Sequence, residues 1–215
     1  ELIQPLTAIR SFAENAQGFL DRDKPDVAAQ NLGRISELAR RMGRIIRNLR
    51  AFARQEDEPP TDVALIAVRE AVLEMVRPRA VQEGVTINWV PPPHQVIVRG
   101  GDVRLQQVIL NLVTNGMDAM EDRDQKVITM TVETVGARTI VSVQDTGPGI
   151  AEPDKIFEPF YTTKAIGAAE GMGLGLSLSY GLVQSFGGAI RGRNHPDGGA
   201  VFTVELDAVL QEAAA

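Results

Sequence analysis

The chain has 215 residues, with 22 Lys and Arg against 28 Asp and Glu, so its formal charge is −6. Its hydrophobic content of 44% is too high for a disordered chain and is ordinary for one or two globular domains. Cysteine is absent, which excludes disulfide scaffolds, thiol nucleophiles and cysteine-ligated metals. Because the charge balance is negative, we expect no nucleic-acid partner bound through broad phosphate neutralisation.

The sequence offers no obvious membrane segment. No run of apolar residues reaches the roughly 18 that a membrane span requires. The N-terminus also lacks the basic segment and apolar run of a signal peptide. We therefore expect no membrane contact by this chain. It begins at Glu1 without an initiator Met, and we expect it to be part of a longer protein.

Residues 1–55 show the periodicity of two helices joined by a polar turn. Each helix carries an apolar stripe in alternating steps of three and four residues, the a/d pattern of a supercoiled bundle. The stripes are Leu2, Leu6, Ile9, Ala13, Ala16 and Leu20, then Ile35, Leu38, Met42, Ile45, Leu49 and Phe52. Pro25 suits the start of the second helix. One hairpin buries little apolar surface, so the pattern predicts a homodimer in which two hairpins form a four-helix bundle.

Residues 56–62 are charged and contain two consecutive prolines. Proline has no amide donor, and the residue before it avoids the helical conformation. We expect a linker here, between a hairpin domain at 1–55 and a second domain at 63–215.

Helical and strand patterns follow one another beyond the linker. They predict helices at 67–80, 102–120 and 173–186, and strands at 85–90, 96–99, 126–135, 139–144, 189–193 and 201–206. Asp102 is predicted to cap the second of these helices. Segregated helices and an antiparallel sheet indicate an α+β fold, a two-layer α/β sandwich. The segment 147–171 is mostly loop, and a loop of that length is usually a lid or a binding loop.

Two polar clusters lie on the helix at 102–120 and after the strand at 139–144. Asn111 and Asn115 share one helical face, and amide groups can ligate a hard cation or meet a phosphate. Asp145 opens the run DTGPGI at 145–150. Its carboxylate can accept from an exocyclic amine, and the glycines let the backbone approach a ligand. Taken singly, solvated or capping asparagines and a tight turn remain alternative explanations.

Two further clusters follow in the loop region. Residues 157–164 read FEPFYTTK. They can anchor a mobile lid, with Lys164 meeting a phosphate, or simply pin a loop through their aromatic rings. Residues 171–177 read GMGLGLS and open a helix, where free amides and the positive dipole end favour an anion. A single run of alternating glycines is a weak signal, because flexible turns also produce it.

Together and in this order, the four clusters resemble the N, first-glycine, phenylalanine and second-glycine boxes of sensor histidine kinases. Their ATP-binding domain belongs to the wider family shared with gyrase, Hsp90 and MutL. The hairpin resembles the dimerisation domain of these kinases, and ELIQPL at 1–6 looks like the end of an H-box of the H-E-L-x-Q-P-L type. Residues 171–176 and 185–188 are most similar to C4-dicarboxylate sensor kinases of the DctB kind. The resemblance covers essentially the whole chain.

The resemblance implies ATP and Mg²⁺ as cofactors and assigns roles to individual residues. Asn115 corresponds to the Mg²⁺ ligand, Asn111 to a phosphate-side contact and Asp145 to the reader of adenine. The other implied nucleotide-binding positions lie in the base pocket, the lid and the triphosphate loop. They are Gly147, Gly149, Thr163, Lys164, Gly171, Gly173, Gly175 and Leu176.

At the hairpin, the resemblance implies Glu1 as the acidic residue and candidate base beside the phosphoacceptor histidine. It implies Gln4 as the position that orients water for dephosphorylating the partner. The resemblance also places the acceptor histidine itself immediately before Glu1. His94 and His195 fit exposed loops and are not expected to replace it. This chain alone is therefore expected to bind nucleotide without autophosphorylating. Gly116 departs from the family's usual Ala, which slightly weakens its helix.

The resemblance thus implies a sensor kinase that autophosphorylates and passes the phosphoryl group to an aspartate on a response-regulator receiver domain, with phosphatase activity toward the regulator as an option. The expected location is the cytoplasmic portion of a membrane-anchored sensor. Two alternatives remain open. An ATPase of the gyrase/Hsp90 type predicts a glutamate base on the asparagine helix. A non-catalytic scaffold would bind ATP and dock the regulator.

Overall fold

The computed structural model describes residues 3–55, 59–162 and 173–209, with the side chains of residues 3, 4, 41 and 44–55 outside the description. The chain divides into two compact units, residues 1–55 and 56–215. The structure thus places the hairpin region and the predicted sheet region in different units.

The first unit is a helical hairpin of α1 (Ile3–Leu20) and α2 (Pro25–Gln55). The predicted pair of helices is confirmed, and Pro25 is the first residue of the second helix. Ala16 and Ala28 are buried between the helices. Their small side chains let the two backbones approach each other closely.

One hairpin covers its apolar stripe only in part. Leu6 and Leu20, both in the predicted stripe of α1, are 52% and 55% exposed. Apolar surface of this kind is what a second hairpin would cover. The dimeric four-helix bundle stays a prediction.

The second unit contains helices and strands in mixed order. Its described elements are β1 (Thr61–Ala64), α3 (Leu65–Glu83), β2 (Thr86–Val90), β3 (Ile97–Gly100), α4 (Asp102–Ala119), β4 (Val127–Val135), β5 (Arg138–Asp145), α5 (Gly175–Ser185), β6 (Ala189–Asn194) and β7 (Ala200–Asp207). The predicted elements are confirmed with shifted ends. Among the described residues of both units, no helix combines the length and the apolar character that crossing a bilayer demands.

Five strands form one sheet in the order β2-β4-β5-β7-β6. All neighbours pair antiparallel except β2 and β4, which run parallel. The prediction of a wholly antiparallel sheet is therefore wrong at this edge. The chain passes through β3 and α4 between the two strands, and a crossover that contains a helix lets both point the same way.

A second, two-stranded antiparallel sheet pairs β1 with β3. Thr61 and Asp62, the last two residues of the predicted linker, are therefore part of a strand. The Asp62 carboxylate also accepts a hydrogen bond from Arg99 of β3 at 2.7 Å. The first strand of the second unit thus begins two residues before the predicted start of the second domain.

The core lies between the helices and one face of the large sheet. Burial alternates along β5, where Thr139, Val141, Val143 and Asp145 are buried and the residues between them are half-buried. Helix α4 contributes Leu105, Val108, Ile109, Leu112, Val113 and Met117 to the same core. This arrangement confirms the α+β two-layer sandwich. It also places Asp145 in phase with the core side chains of its strand.

Helix α4 begins differently from the prediction. Gly101 is the N-cap residue and Asp102 is the first helical residue, with no side-chain cap. The Asp102 carboxylate instead accepts a hydrogen bond from Gln106 at 3.1 Å, so its predicted capping role is wrong. A Cβ at position 101 would lie 2.8 Å from Nη2 of Arg104. Glycine therefore fits the cap position, and the carboxylate sits one residue too far along to reach the free amides.

Candidate functional site

Asp145 lies at the end of β5 and is only 3% exposed. Its Oδ1 accepts hydrogen bonds from the backbone N–H groups of Gly147 at 2.8 Å and Ala200 at 3.2 Å. Burial raises the pKa of this carboxyl, and the two backbone hydrogen bonds offset part of that rise. Within the described parts of the chain, Oδ2 accepts no hydrogen bond, so it is the oxygen left for a ligand.

Glycines from three elements pack against Asp145. A Cβ at Gly116 of α4 would lie 3.3 Å from Cβ of Asp145, and a Cβ at Gly147 would lie 2.8 Å from its Oδ1. A Cβ at Gly199, where φ is +80°, would run into the carbonyl oxygen of Asp145. The backbone therefore surrounds the carboxylate more closely than side chains would allow.

The run 145–150 forms a turn that two side chains hold in place. Thr146 turns its hydroxyl toward the start of β4, where it accepts from the N–H of Val127 at 3.1 Å and lies 2.9 Å from the C=O of Gln125. At the other end, Asn194 of β6 forms hydrogen bonds with the backbone of Ile150. Gly149 adopts a φ of +86°, which favours glycine. The predicted turn after the strand is confirmed.

The two asparagines of α4 differ in how the protein uses them. Asn111 donates from Nδ2 to the hydroxyl of Ser179 in α5 at 3.0 Å. Its amide also lies against Gly175, where a Cβ would be 3.1 Å from Nδ2. Asn115 is half-buried, and its amide forms no hydrogen bond with any described residue. Asn115 directly precedes Gly116, the α4 residue that packs against Asp145.

The start of α5 packs against the aromatic segment before it. The N–H of Phe160 donates to the C=O of Gly173 at 2.7 Å, and both residues have positive φ, +69° and +63°. The rings of Phe157 and Tyr180 lie with centroids 5.6 Å apart. The aromatic cluster is therefore attached to α5, a contact that fits both the anchor of a lid and the simple loop pin, and its role stays a prediction.

The N-terminus of α5 is a candidate anion site. Leu174 is its N-cap residue, and among the described residues no side-chain capping hydrogen bond is made at this end of the helix. Gly175 and the half-buried Leu176 provide the first helical amides. Uncapped amides at the positive end of a helix dipole bind anions readily.

Several predicted site residues fall outside the described residues. They are Glu1, Thr163, Lys164 and Gly171. Gln4 lies in α1, but its side chain is also outside the description. Their roles stay predictions. The structure brings together Asp145, Gly147 and Gly149 in one turn, and Asn111 with Gly175 between α4 and α5.

Four residues of this region were missed by sequence reasoning. Ser179 receives the hydrogen bond of Asn111, Ala200 donates to Asp145, Gly199 packs on its carbonyl, and Asn194 holds Ile150. The Gly198-Gly199 pair does signal a turn, but nothing in its neighbourhood points to a carboxylate 53 and 54 positions away. No local signal marks Ser179 or Asn194.

Comparisons with known proteins match both parts of the chain to known families. Residues 100–210 match the family of histidine kinase-, DNA gyrase B- and HSP90-like ATPases, and residues 1–58 match the His Kinase A (phospho-acceptor) domain. The chain therefore belongs to the histidine kinase-, DNA gyrase B- and HSP90-like ATPase family. The resemblance to sensor histidine kinases drawn from the motifs is confirmed.

Curated relatives point to the same group of kinases. The chain is 36% identical over 220 residues to the C4-dicarboxylate transport sensor protein DctB of Pseudomonas aeruginosa, and the match covers 96% of this chain and 34% of that protein. It is 35% identical to the DctB protein of Rhizobium meliloti, covering 96% of this chain and 33% of the relative. The chain thus spans about a third of the length of these relatives.

Among solved structures, the catalytic domain of histidine kinase ThkA matches with a TM-score of 0.61 and 29% sequence identity. The match covers 70% of this chain and 96% of that domain. The likeness supports the sandwich architecture independently of the motifs.

The contact between Gly175 and Asn111 generates a test. In a Gly175→Ala variant, the new methyl group would occupy the space of the Asn111 amide and displace its hydrogen bond to Ser179. We expect the free energy of unfolding to fall by about 1–3 kcal/mol, as in other overpacked sites. Chemical denaturation followed by the fluorescence of Trp89, the single tryptophan, measures it in the second unit.

The control is Gly33→Ala in α2, where a Cβ meets nothing within 4 Å. Alanine there should stabilise its helix by up to about 1 kcal/mol, read by circular dichroism. A Gly175→Ala protein as stable as the unchanged chain would contradict the assigned contact.

Proposed function

We propose that this chain is the ATP-using core of a two-component sensor histidine kinase, which phosphorylates a histidine and passes the phosphoryl group to a response regulator. The observation that carries the proposal is the hydrogen bonding of the buried Asp145 carboxylate. Backbone donors satisfy one of its oxygens, and no described residue donates to the other. An oxygen of this kind accepts from the exocyclic amine of adenine and would repel the carbonyl oxygen of guanine.

The phosphates would lie toward α4 and the start of α5. Asn111 and Gly175 bring these two helices together, and the uncapped N-terminus of α5 supplies amide donors for anionic oxygens. In this proposal Gly173, Gly175 and Leu176 line the triphosphate, with Gly171 beside them. Thr163 and Lys164 belong to the lid.

Asn115 suits the proposed role of Mg²⁺ ligand. Its amide has no hydrogen-bond partner in the described chain, and no group of three or more His, Cys, Asp or Glu side chains that could hold a metal is found there either. Mg²⁺ commonly binds through one or two protein oxygens together with substrate phosphates and water. Asn115 would hold the ion, whose positive charge would offset the negative charge that develops on the transferred phosphoryl group.

The proposed acceptor is a histidine immediately before Glu1. In the transfer, its imidazole nitrogen forms a bond to the γ-phosphorus as the bond from that phosphorus to the β-phosphate oxygen breaks, and ADP leaves. Glu1 would take the imidazole proton as a base. Gln4 would orient water when the partner is dephosphorylated. The match of residues 1–58 to the phospho-acceptor domain supports this placement.

The proposed partners are a second copy of the chain and a response-regulator receiver domain. The exposed Leu6 and Leu20 on α1 supply apolar surface for a four-helix bundle. We place the chain in the cytoplasmic portion of a membrane-anchored sensor. ATP is available there, and a chain without cysteine is compatible with a reducing compartment.

The gyrase-type ATPase alternative lacks the residue it needs. It requires a glutamate general base on the asparagine helix, and α4 contains none in its sequence DVRLQQVILNLVTNGMDA. Phosphoryl transfer to histidine needs no such base on that helix. The kinase is therefore the function that this site supports best.

Transfer of radiolabel tests the kinase activity directly. A longer form of the protein that includes the residues before Glu1 should take up label from [γ-³²P]ATP on that histidine, and then pass it to an aspartate of a receiver domain. Residues 1–215 alone should remain unlabelled while still binding nucleotide. Labelling of residues 1–215 on His94 or His195 would overturn the proposed acceptor.

Replacing Asp145 tests the base site. In Asp145→Asn, the amide oxygen can keep both backbone hydrogen bonds, but an amide N–H replaces the open acceptor. Affinity for a non-hydrolysable ATP analogue should fall about 5- to 150-fold, the effect of losing 1–3 kcal/mol at a buried hydrogen bond. Calorimetric titration measures it. The control Asp124→Asn removes the same charge from an exposed turn and should bind normally, and normal binding by Asp145→Asn would exclude Asp145 from the site.

The raised pKa of Asp145 gives this test a pH dependence. Nucleotide affinity should decline as pH falls through that pKa, which begins at a higher pH than for an ordinary aspartate. Since the folded pKa lies above the unfolded one, the ionised group lowers stability above that pKa, and this penalty disappears as pH falls. Asp145→Asn should therefore match or exceed the unchanged chain in stability at neutral pH.

Replacing Asn115 tests the metal site. Asn115→Ala removes an amide that no described residue uses, so folding should be unaffected. Affinity for the nucleotide analogue should fall about tenfold or more with Mg²⁺ present and far less in EDTA. The exposed Asn88→Ala on β2 is the matched control. Equal losses with and without Mg²⁺ would indicate a packing defect of α4 instead.

A further inference from the structure

Asn194, the last residue of β6, forms two hydrogen bonds with a single residue of another segment. Its Oδ1 accepts from the N–H of Ile150 at 2.6 Å, and its Nδ2 donates to the C=O of Ile150 at 3.0 Å. Only an amide side chain offers an acceptor and a donor side by side in this way. Asn194 thereby pairs with Ile150 as a neighbouring strand would, although residue 150 lies in no strand.

Gly149 and Asn194 fit each other. A Cβ at position 149 would lie 2.7 Å from Oδ1 of Asn194, and φ at Gly149 is +86°. The amide of Asn194 therefore fills the space that a side chain at 149 would need. Any other residue at 149 would both strain the backbone and push the amide away from Ile150.

The same turn that carries Asn194 also holds the opposite end of the 145–150 run. The N–H of Ala200 donates to Asp145, and Gly199 packs on the Asp145 carbonyl. The turn is itself closed by a hydrogen bond from the N–H of His195 to the C=O of Gly199 at 3.0 Å. Segment 194–200 thus contacts the run 145–150 at both ends. Ala200 binds Asp145 at the start of that run, and Asn194 binds Ile150 at its end.

We propose that Asn194 is a positioning residue for the nucleotide base. It acts without touching the ligand, by holding Ile150 and Gly149 so that the turn is already formed around the open oxygen of Asp145. A turn ordered before binding does not have to be ordered by the ligand, which improves affinity. The inference rests on the proposed function, since it assumes that the turn binds adenine.

Because Asn194 is exposed and its two hydrogen bonds hold a turn, its replacement should lower the unfolding midpoint by no more than the loss of two hydrogen bonds predicts. Asn194→Ala removes both hydrogen bonds. Asn194→Asp is isosteric and keeps the acceptor, but it replaces the donor with an oxygen facing the Ile150 carbonyl. Asn88→Ala, on the opposite edge of the sheet in β2, is the matched control for losing an exposed asparagine.

Three measurements on residues 1–215 test the inference. Calorimetry should show that Asn194→Ala lowers the affinity for the ATP analogue about 5- to 100-fold, the expected effect of two hydrogen bonds. The affinity for adenosine should fall by the same factor, because the turn is proposed to bind only the base. Hydrogen exchange without nucleotide should show faster exchange at the Ile150 amide. Asn194→Asp should also weaken binding, and Asn88→Ala should change nothing.

The outcomes separate the two levels of the proposal. If the unchanged chain fails to bind the ATP analogue, the proposed function itself is wrong. If the unchanged chain binds the ATP analogue and both Asn194→Ala and Asn194→Asp bind it with the same affinity, the positioning role is overturned. The contact of Asn194 with Ile150 then has no effect on nucleotide binding. Faster exchange at Ile150 with unchanged affinity would overturn it in the same way.

Discussion

The rest of the site depends on the hydrogen bonds that two backbone N–H groups donate to the buried carboxylate of Asp145. A carboxylate removed from water is costly unless hydrogen-bond donors replace the water. Here the backbone N–H groups of Gly147 and Ala200 both reach Oδ1. They come from the turn after β5 and from the first residue of β7. Because these segments lie far apart in sequence, the carboxylate is satisfied only when both are folded against it. Because backbone donors serve one oxygen, the other oxygen is available to a ligand.

This requirement explains why so many contacts of the site are made by glycine. Backbone donors must approach the carboxylate closely, and Gly116, Gly147 and Gly199 leave no Cβ in the way. The same principle recurs at the proposed phosphate end, where Gly175 lets the start of α5 lie against Asn111. The glycines that look like signs of flexibility in the sequence are here positions of close packing. Their conformational cost is offset by the contacts they permit.

The net charge of the chain does not favour binding of the proposed ligand. The chain carries a formal charge of −6, whereas the proposed ligand is strongly anionic. In the proposed function, binding would therefore come from local features that act at short range: the amides at the start of α5, a metal ion held by Asn115, and cationic side chains such as Lys164. This organisation makes affinity sensitive to the placement of individual groups and so to the turns that hold them.

The sequence by itself determined the helices, every strand except β1, and the family to which the chain belongs. Apolar stripes in steps of three and four predict α1 and α2, and the ordered clusters around Asn115, Asp145 and Gly173 predict a family that the comparisons confirm. Only the tertiary structure decided the parallel pairing of β2 with β4, the cap at Gly101, and the contacts of Ala200 and Asn194 with the turn at 145–150. Periodicity and motifs record what neighbouring residues do along the chain. The contacts that complete the site join segments about 44 to 55 positions apart, and they exist only once the sheet has brought the ends of β5, β6 and β7 together.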